Sequence, residues 1–127
     1  MLAYAGQGLA GEQDGLIRDF LRRAAQALAG LENAYASAVQ HRGLGPSGPY
    51  AAFQSVLARD AHDSLVAVEL VLAQTTISSQ LIDNLNASIH VRTLLTDLFL
   101  IDEILKAGEG SASQNQESPA GAAGSAH

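Results

Sequence analysis

The chain has no cysteine and no tryptophan, one methionine, three prolines and one lysine, Lys106. Without cysteine there is no disulfide framework, no thiolate nucleophile, no cysteine-ligated zinc and no iron–sulfur cluster. Aromatic residues make up 5% of the chain, too few for a base-stacking platform. The formal charge is -6, from 7 Lys+Arg against 13 Asp+Glu. An acidic surface repels phosphate backbones, which argues against nucleic acid as a partner. A single lysine is also a poor basis for an anionic-membrane patch. The longest apolar stretch, Leu65 to Ala73, is interrupted by Glu69 and falls well short of the roughly 20 residues that span a bilayer. Met1 to Gly15 has no basic n-region ahead of its apolar residues, so no secretory signal is expected. By this lack of signals the expected location is cytoplasmic.

What is present is a chain of 127 residues, 47% hydrophobic, suited to one domain. Residues 1–13 are small, Gly-rich and unpatterned, and are expected to be a flexible lead-in. Asp14 is the expected N-cap of a first helix. From there Ile17, Leu21, Ala24, Leu28, Leu31, Tyr35 and Ala38 recur at alternating four- and three-residue spacing. That is a heptad seam on one long helix. Gly43-Leu44-Gly45-Pro46-Ser47-Gly48-Pro49 cannot continue it, and a connection this short joins an antiparallel helix pair.

Between Tyr50 and Ala107 there is neither glycine nor proline. Leu65, Val68, Leu72, Thr75, Ser79 and Ile82 form a second seam, and Val91, Leu94, Leu98, Ile101 and Leu105 a third. One helix over that whole stretch would be about 85 Å long, too long for a compact domain. The expected turn is Asp83-Asn84-Leu85-Asn86-Ala87-Ser88, with Ser88 capping the next helix. The uncharged stretch Gln74 to Gln80 is then read as the middle of a helix, with Thr75 and Ser79 as polar seam positions that set register. Gly108 is the expected stop of the last helix, and 108–127 an expected disordered Gly/Ala/Ser-rich tail. The fold class is therefore an all-α antiparallel bundle over 14–107, with three helices, or two very long ones, in coiled-coil-like packing.

Few residues suggest chemistry. The chain has no G-x-S-x-G, no P-loop, no G-x-G-x-x-G after a strand pattern and no Glu-x-x-His. No enzyme activity, cofactor or metal is expected. His41 suits a helix end, where a cation favours the dipole. His90, with Asp83, Asp97 and Glu69, falls short of a bundle metal site.

Ala58-Arg59-Asp60-Ala61-His62-Asp63-Ser64-Leu65 is the exception. These eight residues resemble the phosphoacceptor box of one class of histidine kinases. The resemblance implies a phosphotransfer or dimerisation module, with His62 as acceptor and Asp60 or Asp63 orienting its ring. Val66 and Ala67 replace the glycine and glutamine usual at those two positions, and no Gly-rich ATP-binding segment is present. Separately, the layout of helix, Pro46-x-x-Pro49 turn and Ala51-Ala52-Phe53-Gln54-Ser55 is similar to the hairpin of type III secretion needle subunits. The chain runs about twice as far past the turn as those subunits do.

The primary expectation is a non-enzymatic interaction or assembly subunit. It would self-associate or dock a protein partner through Ile17, Leu21, Leu28, Leu31, Tyr35, Leu65, Val68, Leu72, Ile82, Val91, Leu94, Leu98, Ile101 and Leu105. A His62 phosphotransfer module is the alternative. Membrane binding is disfavoured, because Asp97, Asp102 and Glu103 outnumber Arg92 and Lys106 on the polar face of the last helix.

Overall fold

A computed structural model describes the backbone of residues 2–44 and 48–125 and the side chains of 11–44 and 48–107. Residues 45–47, part of the expected turn, lie outside it. Among the described residues the protein is all-helical, 87% helix with no strand. There are five helices, not three: α1 Leu2–Ala29, α2 Leu31–His41, α3 Pro49–Leu72, α4 Ser79–Ala87 and α5 Ile89–Ser125. The contacts divide the chain into two units, Met1–Leu94 and Leu95–His127.

The first long helix is broken at Gly30. The Gly30 N–H is shared between the Gln26 and Ala27 carbonyls, both at 3.2 Å, and its own carbonyl accepts from Ala34 N–H at 3.0 Å. The Gly30 backbone, φ -99° and ψ 2°, is one that any residue can adopt, so the interruption is slight. The apolar row passes straight through it: Leu21, Tyr35 and Val39 are buried, and Ile17, Leu28 and Leu31 are half-buried.

α1 begins ahead of the cap expected at Asp14, which sits inside the helix. α5 likewise continues past the stop expected at Gly108.

α2 ends where the sequence placed a break. Gly43 takes φ 70°, its N–H bonds to Gln40 O at 3.0 Å, and Leu44 N–H reaches back to Val39 O at 3.1 Å. These two bonds use the carbonyls that the helix end leaves open. A Cβ on Gly43 would meet no neighbour within 4 Å, so only the backbone opposes a side chain there. Gly43→Ala is expected to cost about 1 kcal/mol, read as a lower urea midpoint with an unchanged m-value. α3 then starts with Pro49 in its first turn, where a missing N–H is harmless.

α3 is the central helix, packed against α1, α2 and α4. Its buried row is Leu57, Ala61, Ser64, Val68 and Val71, at a regular four–three spacing. The expected residues Leu65 and Leu72 are half-buried and flank this row. The α1–α2 limb runs antiparallel to α3: Arg18 reaches Leu72, and Tyr35 donates its hydroxyl to Tyr50 O at 2.8 Å. Ser64, 1% exposed, donates its hydroxyl to His90 O at 2.9 Å, so the start of α5 is tied to α3.

The expected continuity through 74–80 is not found. α3 stops at Leu72, and the chain turns through Ala73–Ser78. Ser78 is extended (φ -84°, ψ 161°), and its side chain accepts the Leu81 N–H at 3.0 Å, capping α4. Buried Ile77 anchors the turn in a cluster with Leu21, Val68, Val71 and Leu85. Thr75 and Ser79 are exposed, so neither sets register in a seam. Of the turn expected at 83–88, only Ser88 leaves the helix. Its hydroxyl accepts from Val91 N–H at 3.4 Å, in the capping role anticipated for it.

Candidate functional site

The expected interaction row is mostly used inside the chain. In the first unit Leu21, Tyr35, Val68 and Leu94 are buried, while Ile17, Leu28, Leu31, Leu65, Leu72, Ile82 and Val91 are half-buried. In the second, Leu98, Ile101 and Leu105 have intermediate exposure. The apolar surface that remains open lies on other residues. Leu16 is 70% and Phe20 64% exposed on α1, and Val66 and Leu70 are exposed on α3. Ile89 is exposed at the start of α5, as are Leu95, Phe99, Leu100 and Ile104 along it.

Leu16 and Phe20 line a groove of about 330 Å3 between α1 and α4. Ile17, Leu21, Ile82 and Leu85 form its apolar walls, and Ser79, Asp83 and Asn86 are its polar residues. The groove depends on how α4 is held beside α1, and a polar latch contributes to that. Arg18 Nη1 donates to Leu72 O at 3.1 Å, and Nη2 donates to Gln74 O at 2.7 Å and Thr75 O at 2.9 Å. Its Nε donates to Asp14 Oδ2 at 2.6 Å, while Asp14 Oδ1 accepts the Ile77 N–H at 3.3 Å. The guanidinium thus sits on the carbonyls at the C-terminal end of α3, where positive charge is favoured.

The hydrogen bond from Arg18, joined by that from Ile77, holds the Asp14 carboxyl below its ordinary value of 3.8 against an opposing effect of burial. A depressed folded pKa gives stability that is fully present above the unfolded value and lost as pH falls through the folded one. Asp14→Asn is therefore expected to lower the urea midpoint by a constant amount from neutral pH down to about pH 5, and the gap to wild type to close below about pH 4. A gap that stays constant into acid would show that the charge is not what matters.

No family model, curated protein or solved structure matches the chain.

His62 is exposed on α3, with Asp60 and Asp63 half-buried nearby in sequence. Neither acid hydrogen-bonds to the imidazole. Ser64, from the same eight residues, is committed to the core. His41 ends α2 and is exposed, as is His90. Among the described residues no three His, Asp or Glu side chains form a metal-binding group, and no helix is long and apolar enough to cross a membrane.

A smaller cleft of about 190 Å3 lies between α2 and α3, lined by Tyr35, Val39, Tyr50 and Gln54 among others. Burial, and secondarily the charge of Tyr50, push the Tyr35 phenol upward. With its hydroxyl on Tyr50 O and its ring tilted 6.3 Å from Phe53, Tyr35 fastens the α2–α3 pair and is not poised for proton transfer. In sequence Phe20 only widens the apolar stripe of the first helix, and nothing in its spacing shows that it stays open. The Arg18 latch binds backbone carbonyls, which leave no pattern in side-chain identity.

Proposed function

We propose that the chain is a non-enzymatic helical interaction subunit whose docking surface is the α1/α4 groove. The observation that carries this reading is the pair Leu16 and Phe20, 70% and 64% exposed beside the half-buried Ile17 and Ile82. Large side chains one helical turn apart present a stripe that a partner helix can cover. Their burial would be worth about 1.5–3 kcal/mol each. The groove is mainly apolar, with no facing pair of acid and base, which suits recognition better than catalysis.

A photo-crosslinking residue at Phe20, compared with one at exposed Asn33 on α2, tests the reading in cells. An adduct at 20 and none at 33 is the expected result. No adduct at 20 overturns it.

The phosphotransfer alternative rests on the exposure of His62. It requires an acid-labile phosphate on the wild type that His62→Gln abolishes.

A further inference from the structure

Resting on the groove reading above, we propose that the occupant is α5 of a second copy of this chain, giving a homodimer. The two helices carry matching rows. On α1, Leu16, Phe20 and Arg23 stand at offsets of four and three residues, with Arg22 beside Arg23. On α5, Leu95, Phe99 and Asp102 repeat the same offsets, with Glu103 beside Asp102. Leu95 is 43% and Phe99 71% exposed.

Each row thus ends in a charged pair, basic on α1 and acidic on α5. Laid side by side in parallel, Leu16 meets Leu95, Phe20 meets Phe99, and the arginines meet the acids. Such end charges select partner and direction in paired helices. Within one chain these charges are only partly used. Arg22 pairs with Asp19, and Lys106 with Asp102, at exposed i,i+3 and i,i+4 positions. Arg23 and Glu103 have no ion-pair partner among the described residues.

A second observation concerns α5 itself. Its row Val91, Leu94, Leu98, Ile101 and Leu105 is buried or half-buried, yet Leu95, Phe99, Leu100 and Ile104 remain open alongside it. A helix apolar over so wide an arc needs a second cover. Each copy carries both halves, one in each unit, and a dimer in which both engage makes the contact twice. Four phenylalanines and four leucines would then leave water, on the order of 1,000 Å2 of apolar surface, the scale at which specific interfaces begin.

The test is molar mass by light scattering on the full chain. Wild type is expected at twice 13.2 kDa, dissociating on dilution. Phe20→Glu and Phe99→Glu, both at open positions, should each weaken association at least tenfold while keeping the wild-type helical circular dichroism. Arg23→Glu alone and Asp102→Arg/Glu103→Arg alone should be monomeric, and an equimolar mixture of the two should recover a heterodimer. Because the chain has no cysteine, Leu16→Cys and Leu95→Cys chains can be mixed and oxidised. A disulfide between the two chains is the expected product. Wild type at monomer mass at its highest soluble concentration overturns the proposal, as does a dimer unaffected by both phenylalanine substitutions. A monomeric wild type that still gives an adduct to a different protein at position 20 overturns the second copy as occupant and leaves the groove reading standing. A monomer with no adduct ends both.

Discussion

Replacing Leu57 by alanine is expected to lower the stability of the fold by about 3 kcal/mol, the middle of the range for buried Leu→Ala changes. Leu57 is 0% exposed and, with Ser64, one of the two largest fully buried side chains. Deleting its branched end removes the transfer free energy of the lost atoms and leaves a cavity. The next buried residue along its row is Ala61, whose single methyl cannot swing into the space, so little of the void is refilled by that neighbour. A domain of this size holds roughly 5–15 kcal/mol in total, so the loss is a large share of it. Urea unfolding tracked by circular dichroism measures it. A loss under about 1 kcal/mol, well below the usual range for such a change, would mean that the surroundings of Leu57 close up.

Arg18→Ala is expected to cost about 2 kcal/mol, since hydrogen bonds to charged groups contribute about 1.5–3 kcal/mol each when sheltered and less when exposed to solvent. Three carbonyls lose their donor: Leu72 at the end of α3, and Gln74 and Thr75 in the turn. Asp14 loses its cation at the same time. The Gln74 and Thr75 bonds are exposed, which keeps the expected cost below the sum of the parts. Lysine should not rescue, because one ammonium cannot span three carbonyls and a carboxylate in the plane of a guanidinium. Full rescue by Arg18→Lys would show that only the positive charge counts. Limited proteolysis provides a second readout, with cleavage between Ala73 and Ser78 rising in Arg18→Ala.

The helical class of the protein was legible because its apolar residues keep a strict spacing. The rows through Leu21, Tyr35 and Leu94 survive as buried or half-buried surface. The breaks were read less well, and the reasons are local. Gly30 interrupts the helix without interrupting the row, so periodicity passes over it. The 73–78 turn contains no glycine or proline. It is made by Ser78 capping and by Arg18, which is distant in sequence. The buried row of α3 was hidden for another reason. Ala61 and Ser64 are too small and too neutral to stand out beside Leu65 and Leu72, yet their size is what admits neighbouring backbone. Ser64 shows this, with its hydroxyl on the His90 carbonyl. For the candidate site, spacing picks out the regular seam, whose residues are buried or half-buried, while the residues that stay open, Leu16 and Phe20 among them, lie on its flanks and carry no period of their own.

The single-residue break at Gly30 divides the limb into two pieces with separate moorings. α1 is fastened through Asp14 and Arg18 near one end of α3, and α2 through Tyr35 near the other. A continuous helix would transmit the loss of one mooring to the other. Each piece has its own mooring, so the amides of 14–29 and 31–41 are expected to exchange with solvent deuterium as two cooperative blocks of different lifetime. A single shared lifetime would mean that the hydrogen bonds through Gly30 hold the limb together as one unit.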